Sequence, residues 1–278
     1  MSTTTAPTRG DEQPHVGAEL VQPVTQLRVI RSEWIKFSTL RSTWITLVLS
    51  MIGTVGIGAL ASWGTNNRWS RLDPAERANF SAVTRSLVGV NLGQLAVVVL
   101  AVLIITGEYA TGMIRATLAA VPRRLPMLWG KLVVLAAVMF LTSLVAAVVA
   151  FFVGQALLSS HGVGIGSPHA VRAIVGAALY LTVIAVLSMG IGFTVRNTAG
   201  AIASTFGLLL VIPGLGNALP SSWQPHILPY LPSNAGSSLF TLHPDPGSLG
   251  PWTGFLVMCL WAVAAVAAGG YRLVRRDA

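Results

Sequence analysis

Apolar residues in this chain fall into long unbroken runs separated by short polar stretches, and the runs dictate the architecture. Six of them, 44–63, 87–107, 127–158, 171–194, 199–219 and 252–270, reach the roughly 20 residues with which a helix crosses a hydrocarbon core of about 30 Å. Two neighbouring stretches carry a different pattern. Ahead of the first run, 24–41 places Leu27, Ile30, Trp34 and Phe37 within about a quarter of a helix circumference, with Arg28 and Lys36 turned away from them. That pattern predicts an amphipathic helix lying in the membrane interface, its cations meeting anionic headgroups for about 1 kcal/mol each. Between the second and third runs, GEYATGMIRATLAAVPRR at 107–124 predicts a short helix at the membrane edge, with Met113, Ile114, Thr117 and Leu118 on one face. Such an apolar knob fits a groove on a partner, with Arg115, Arg123 and Arg124 meeting acidic rims. The simpler alternative is a lipid-surface helix whose arginines fix topology.

The remaining polar stretches add less. Residues 1–22 are rich in Thr and Pro and lack the apolar core of a cleavable leader, so they read as a disordered tail. Segment 220–250 carries Pro220, Pro225, Pro229, Pro232, Pro244 and Pro246, each without a backbone donor; it reads as a partly helical cap and not a seventh span. No short-period repeat is present, and residues 23–278 read as one membrane domain.

Composition agrees: 53% of residues are hydrophobic, 10% are charged, and the mean hydropathy is +0.70. The net charge of +9 does not make this a nucleic-acid binder, because its cations sit in the short segments that set membrane orientation. With the tail inside, Arg9, Arg28, Arg31, Lys36, Arg41, Arg115, Arg123, Arg124, Lys131, Arg196, Arg272, Arg275 and Arg276 all become cytoplasmic, which is 13 of the 18 cations. Arg68, Arg71, Arg77, Arg85 and Arg172 are the exceptions, the first four sharing one outer loop with Asp73 and Glu76. Both termini are therefore expected in the cytoplasm. Cys259 has no partner for an intrachain disulfide.

Candidate chemistry is sparse. No Asp, Glu, Lys or His falls in the central part of a span, which removes the usual machinery of ion coupling; the one acid near a span is Glu108. Asn91 and Gln94 share a helical face in the second span, beside the close-approach pair Gly89 and Gly93. With Gln155, Ser204, Thr205 and Asn217, they either line a path or a dimer seam, or make ordinary bonds between helices. The glycine-rich turn at 162–166 follows no strand, and Gly130–Lys131 lacks the other residues of a phosphate-binding loop, so no nucleotide site is expected in this chain. His161, His169, His226 and His243 lack metal-ligand spacing, and no nucleophile and base stand together, so neither a metal centre nor catalysis is expected.

In layout and in two motifs the chain resembles the permease subunits of ATP-binding-cassette exporters of the second type, in the bacterial form encoded apart from the ATPase. EWIKFSTLRSTW at 33–44 resembles that family's elbow helix entering the first span, and GEYATGMIRATLAAVPRR resembles its first cytoplasmic loop. The resemblance implies an all-α membrane protein with six transmembrane helices, an interfacial elbow helix and a short cytoplasmic coupling helix between spans two and three. It implies a coupling role for Glu108, Tyr109, Gly112, Ile114 and Arg115, closed by Leu118, Pro122, Arg123 and Arg124. The implied partners are two copies of a cytoplasmic ATPase holding ATP and Mg, and a second permease copy, identical or related, in the bacterial plasma membrane. The implied activity is export of a hydrophobic or amphipathic substrate. An ion-driven carrier and a membrane anchor or regulatory subunit that moves nothing are the alternatives.

Overall fold

The computed structural model describes residues 25–113, 124–216, 218–243 and 247–275, and all regular elements among them are helical. An N-terminal helix, Gln26–Thr39, stops at Leu40, whose extended backbone caps the next helix. Six helices long and apolar enough to cross a membrane follow: Arg41–Arg68, Val90–Ala110, Arg124–Leu158, Ala170–Val195, Thr198–Gly216 and Pro251–Arg275. This is a multi-pass membrane architecture, as the apolar runs predict. The expected tail, 1–22, lies outside the described residues.

Local chemistry sets the ends of the spans. The second begins at Val90 and not at Leu87 because Leu87 closes a separate short helix, Ala82–Ser86, whose N-cap Ser81 accepts the Thr84 N–H at 3.2 Å. Spans four and five join through only two residues. Arg196 takes the left-handed conformation (φ 61°) and donates its N–H to the Gly192 carbonyl, and Asn197 then caps the fifth span by accepting the Gly200 N–H at 2.9 Å.

The fifth span is not one α-helix. Thr198–Phe206 passes through a π-helical stretch, Gly207–Val211, before Ile212–Gly216. Pro213 explains it: its ring would clash with the carbonyl one α-turn back, and the wider π turn, in which the Ile212 N–H reaches the Gly207 carbonyl, relieves that clash.

The fourth span forms the centre, with 72% of its most apolar window buried, packed by the second, third and sixth spans; the first packs on the second and third. The fifth has only 22% of its window buried. Close approach between the first two spans depends on Gly89 and Gly93, where a Cβ would overlap the Thr54 carbonyl and hydroxyl oxygens respectively. After the fifth span, short helices Gln224–Ile227 and Pro232–Ser237 form the cap expected from the prolines. Leu239 and Phe240 beyond them are buried, and Phe240 meets Tyr180 edge-on at 5.3 Å.

Candidate functional site

At one end of the bundle the N-terminal helix lies along the third span and buries Val29, Glu33 and Phe37, which recur every four residues. Glu33 is the surprise in this stripe. It is 4% exposed and accepts from Lys131 Nζ at 2.5 Å and from Lys36 Nζ at 2.8 Å. Lys131, 3% exposed, also donates to Glu108 Oε1 at 2.6 Å, and Lys36 reaches the same oxygen at 3.4 Å. Among the described residues, two cations and two anions from three helices thus form one compact cluster whose charges balance. Glu108 Oε2 is buried with no hydrogen-bond partner among the described residues.

Burial of such groups is tolerated only with pairing of this quality. Removing one member of a buried pair costs about 3–5 kcal/mol, because the survivor is left charged and dry. Burial opposes the charge on Lys36, but bonds to Glu33 and the charges of Glu108 and Glu33 outweigh that and raise its pKa above the ordinary 10.5. The third span has 35 residues, which at about 1.5 Å each gives about 52 Å, more than the roughly 30 Å of hydrocarbon. That surplus lets Lys131, in its second turn, stand clear of the lipid interior.

The cluster marks where segment 107–124 leaves and re-enters the bundle. Glu108 is in the last turn of the second span, and Gly112, at φ 70° just past its end, turns the chain away in the left-handed conformation that glycine adopts without strain. Tyr109, half-buried, lies under the Arg196 guanidinium at 5.2 Å, which joins the turn between spans four and five to the same end. Arg196 in turn donates to the Arg272 carbonyl, and Arg272 to the Thr194 carbonyl, tying in the sixth span. Beside the cluster opens a cavity of about 550 Å³ with apolar walls, including Phe37, Leu103, Ile104 and Leu135, and with Glu33, Lys36, Glu108 and Lys131 on its lining.

The other sequence candidates divide. Met113 is exposed, and Arg124 opens the third span; Ile114, Arg115, Thr117, Leu118, Pro122 and Arg123 lie outside the described residues. In the N-terminal helix Leu27 is 77% and Trp34 46% exposed and Ile30 is half-buried, whereas Phe37, expected on the same face, is 5% exposed and belongs to the protein-facing stripe. Gln94 is buried and accepts from Tyr180 Oη at 2.6 Å, a bond between helices of one chain, whereas Asn91 on the same helix is exposed. Gln155 is fully engaged within the chain: its amide donates to the Ala82 carbonyl and to Ser86 Oγ, and its oxygen accepts the Val163 N–H at 2.7 Å.

Sequence reasoning missed Glu33 and Lys131 as a site. Lys131 reads as one more cytoplasmic cation and Glu33 as part of an amphipathic helix. The available signal was a lysine four residues inside an apolar run and a glutamate midway between Val29 and Phe37, both of which call for a counter-charge. No known family and no characterised protein matches the chain in sequence.

Proposed function

We propose that the chain is the membrane-spanning permease subunit of an ATP-driven exporter, worked through segment 107–124 by a separate cytoplasmic ATPase. The observation that carries this reading is the Glu33–Lys131–Glu108 cluster. A loop that transmits force needs both its roots fixed to each other and to the helices they must move. Here the departing root, Glu108, and the span it returns to, through Lys131, are 2.6 Å apart, and the N-terminal helix is joined to both. A push on the loop would move the ends of spans two and three and the N-terminal helix as one body, and the fourth span packs against the same two spans.

Within this reading the N-terminal helix is an elbow helix, with Leu27 and Trp34 facing lipid. Ile114, Arg115, Thr117 and Leu118 meet the ATPase, nucleotide and Mg stay on that partner, and a second permease copy completes the path. Export of amphipathic cargo draws support from the apolar cavity with a charged margin beside the loop root. Both termini are then cytoplasmic, in a bacterial plasma membrane.

The test is isolation of the full chain from its native membrane in mild detergent. A cytoplasmic ATPase should co-purify in equal amount and be lost on Ile114→Asp, with membrane insertion unchanged. Solute flux by the chain alone in liposomes, with neither nucleotide nor partner, would refute the proposal and favour an ion-driven carrier.

A further inference from the structure

At the opposite end of the first two spans lies a second cavity, of about 600 Å³, whose lining includes Arg68, Arg71 and Arg85. These are among the arginines that membrane orientation disfavours on that side, so topology gives no reason for them. None of the three pairs with a carboxylate among the described residues. Arg85 is half-buried and held in place, its Nε donating to the buried Thr65 Oγ1 at 2.6 Å, while its terminal N–H groups meet no acceptor among the described residues. Arg68 is anchored by Nε to the Gly64 carbonyl at 3.1 Å.

The one acid on the lining among the described residues, Glu76, is turned back on its own helix, where it accepts the Asp73 N–H at 3.4 Å in a capping box. Among the described residues on the lining, three guanidinium groups against one carboxylate leave a surplus of two positive charges. Burial, and then the charge of Arg68, hold the Arg85 pKa below its usual value, so the two cations repel across the cavity. Leu72, Phe80 and Val88 supply an apolar wall. Arg77, by contrast, donates to the Ser70 carbonyl and does not line the cavity.

We propose that this cavity binds an anionic amphiphile, its phosphate- or carboxylate-type group held by Arg68, Arg71 and Arg85 and its apolar body laid against Leu72, Phe80 and Val88. The volume falls within the 300–1,000 Å³ or so typical of small-molecule sites, and planar guanidinium forks match such oxyanions. The site stands independently of any coupling to an ATPase.

Titration of the full chain in phosphatidylcholine nanodiscs with dihexanoyl phosphatidylglycerol, followed by calorimetry, tests it. Saturable binding is expected, weakened about tenfold by each of Arg68→Gln and Arg71→Gln, two exposed positions whose replacement leaves the packing alone. Arg77→Gln should leave the affinity unchanged. Displacement by inorganic phosphate would show that a free anion suffices; failure of phosphate to displace would show that the apolar body is also read. Both results support the site. Binding that does not saturate, or that survives the Arg68→Gln/Arg71→Gln double substitution, overturns it.

Discussion

Lys131→Met tests the charge cluster most directly. The change keeps the length and apolar stem of the side chain but leaves the buried Glu33 and Glu108 with Lys36 alone, one negative charge in excess. Loss of one member of a buried pair costs about 3–5 kcal/mol. Lys36 already reaches Glu33 at 2.8 Å and Glu108 at 3.4 Å and can swing further in, so the lower half of that range is expected. At about 2–4 °C per kcal/mol for a chain of this size, the melting temperature in detergent, followed by tryptophan fluorescence, should fall by about 6–16 °C. Glu33→Gln alone should cost less, since the excess cation falls on Lys36, whose side chain is 33% exposed and can meet water. The deciding measurement is the double variant. Lys131→Met with Glu33→Gln restores neutrality through Lys36 and Glu108 and should melt higher than Lys131→Met alone. A double variant that melts at or below the sum of the two losses would refute the account of the cluster as a charge-balanced unit.

Tyr180→Phe should destabilise by about 1–3 kcal/mol in thermal unfolding because Gln94 Oε1 stays buried without its donor, and adding Gln94→Leu should recover most of the loss. Gly89→Leu should cost about 1–3 kcal/mol or more by wedging the first two spans apart at Thr54, whereas Gly56→Ala, with open space around it, should stay within about 1 kcal/mol of the parent. The pKa of Lys36 is raised on folding, so its contribution is fully present below pH 10.5 and is lost as pH rises through the higher folded value. The fall in melting temperature on that alkaline limb should be shallower in Lys36→Met.

The six spans were legible because a run of 20 apolar residues has few other stable fates, and the prolines of 220–250 equally forbade a seventh. Their ends were less so. Leu87 is as apolar as Val90, and only the Ser81 cap reveals that a short helix intervenes. The π stretch before Pro213 was legible as a disturbance and not as a particular turn, because several local rearrangements relieve the same clash. The charge cluster was hidden for a different reason. Residues 33, 108 and 131 are far apart in sequence, and periodicity within one helix cannot say which of its faces meets which neighbour. The same blindness left the partners of Gln94 and Gln155 unread: Tyr180 for the first, Ala82 and Ser86 for the second.

The placement of the four clustered charges along the chain has a consequence for biosynthesis. Glu33, Lys36, Glu108 and Lys131 all belong to the first half of the polypeptide, so the ribosome delivers every one of them before Ala170–Val195 emerges. Neutralisation need not wait for the remainder. The first three hydrophobic segments can settle into a charge-balanced seat during translation, and the helix destined for the middle of the bundle then enters a site already prepared for it.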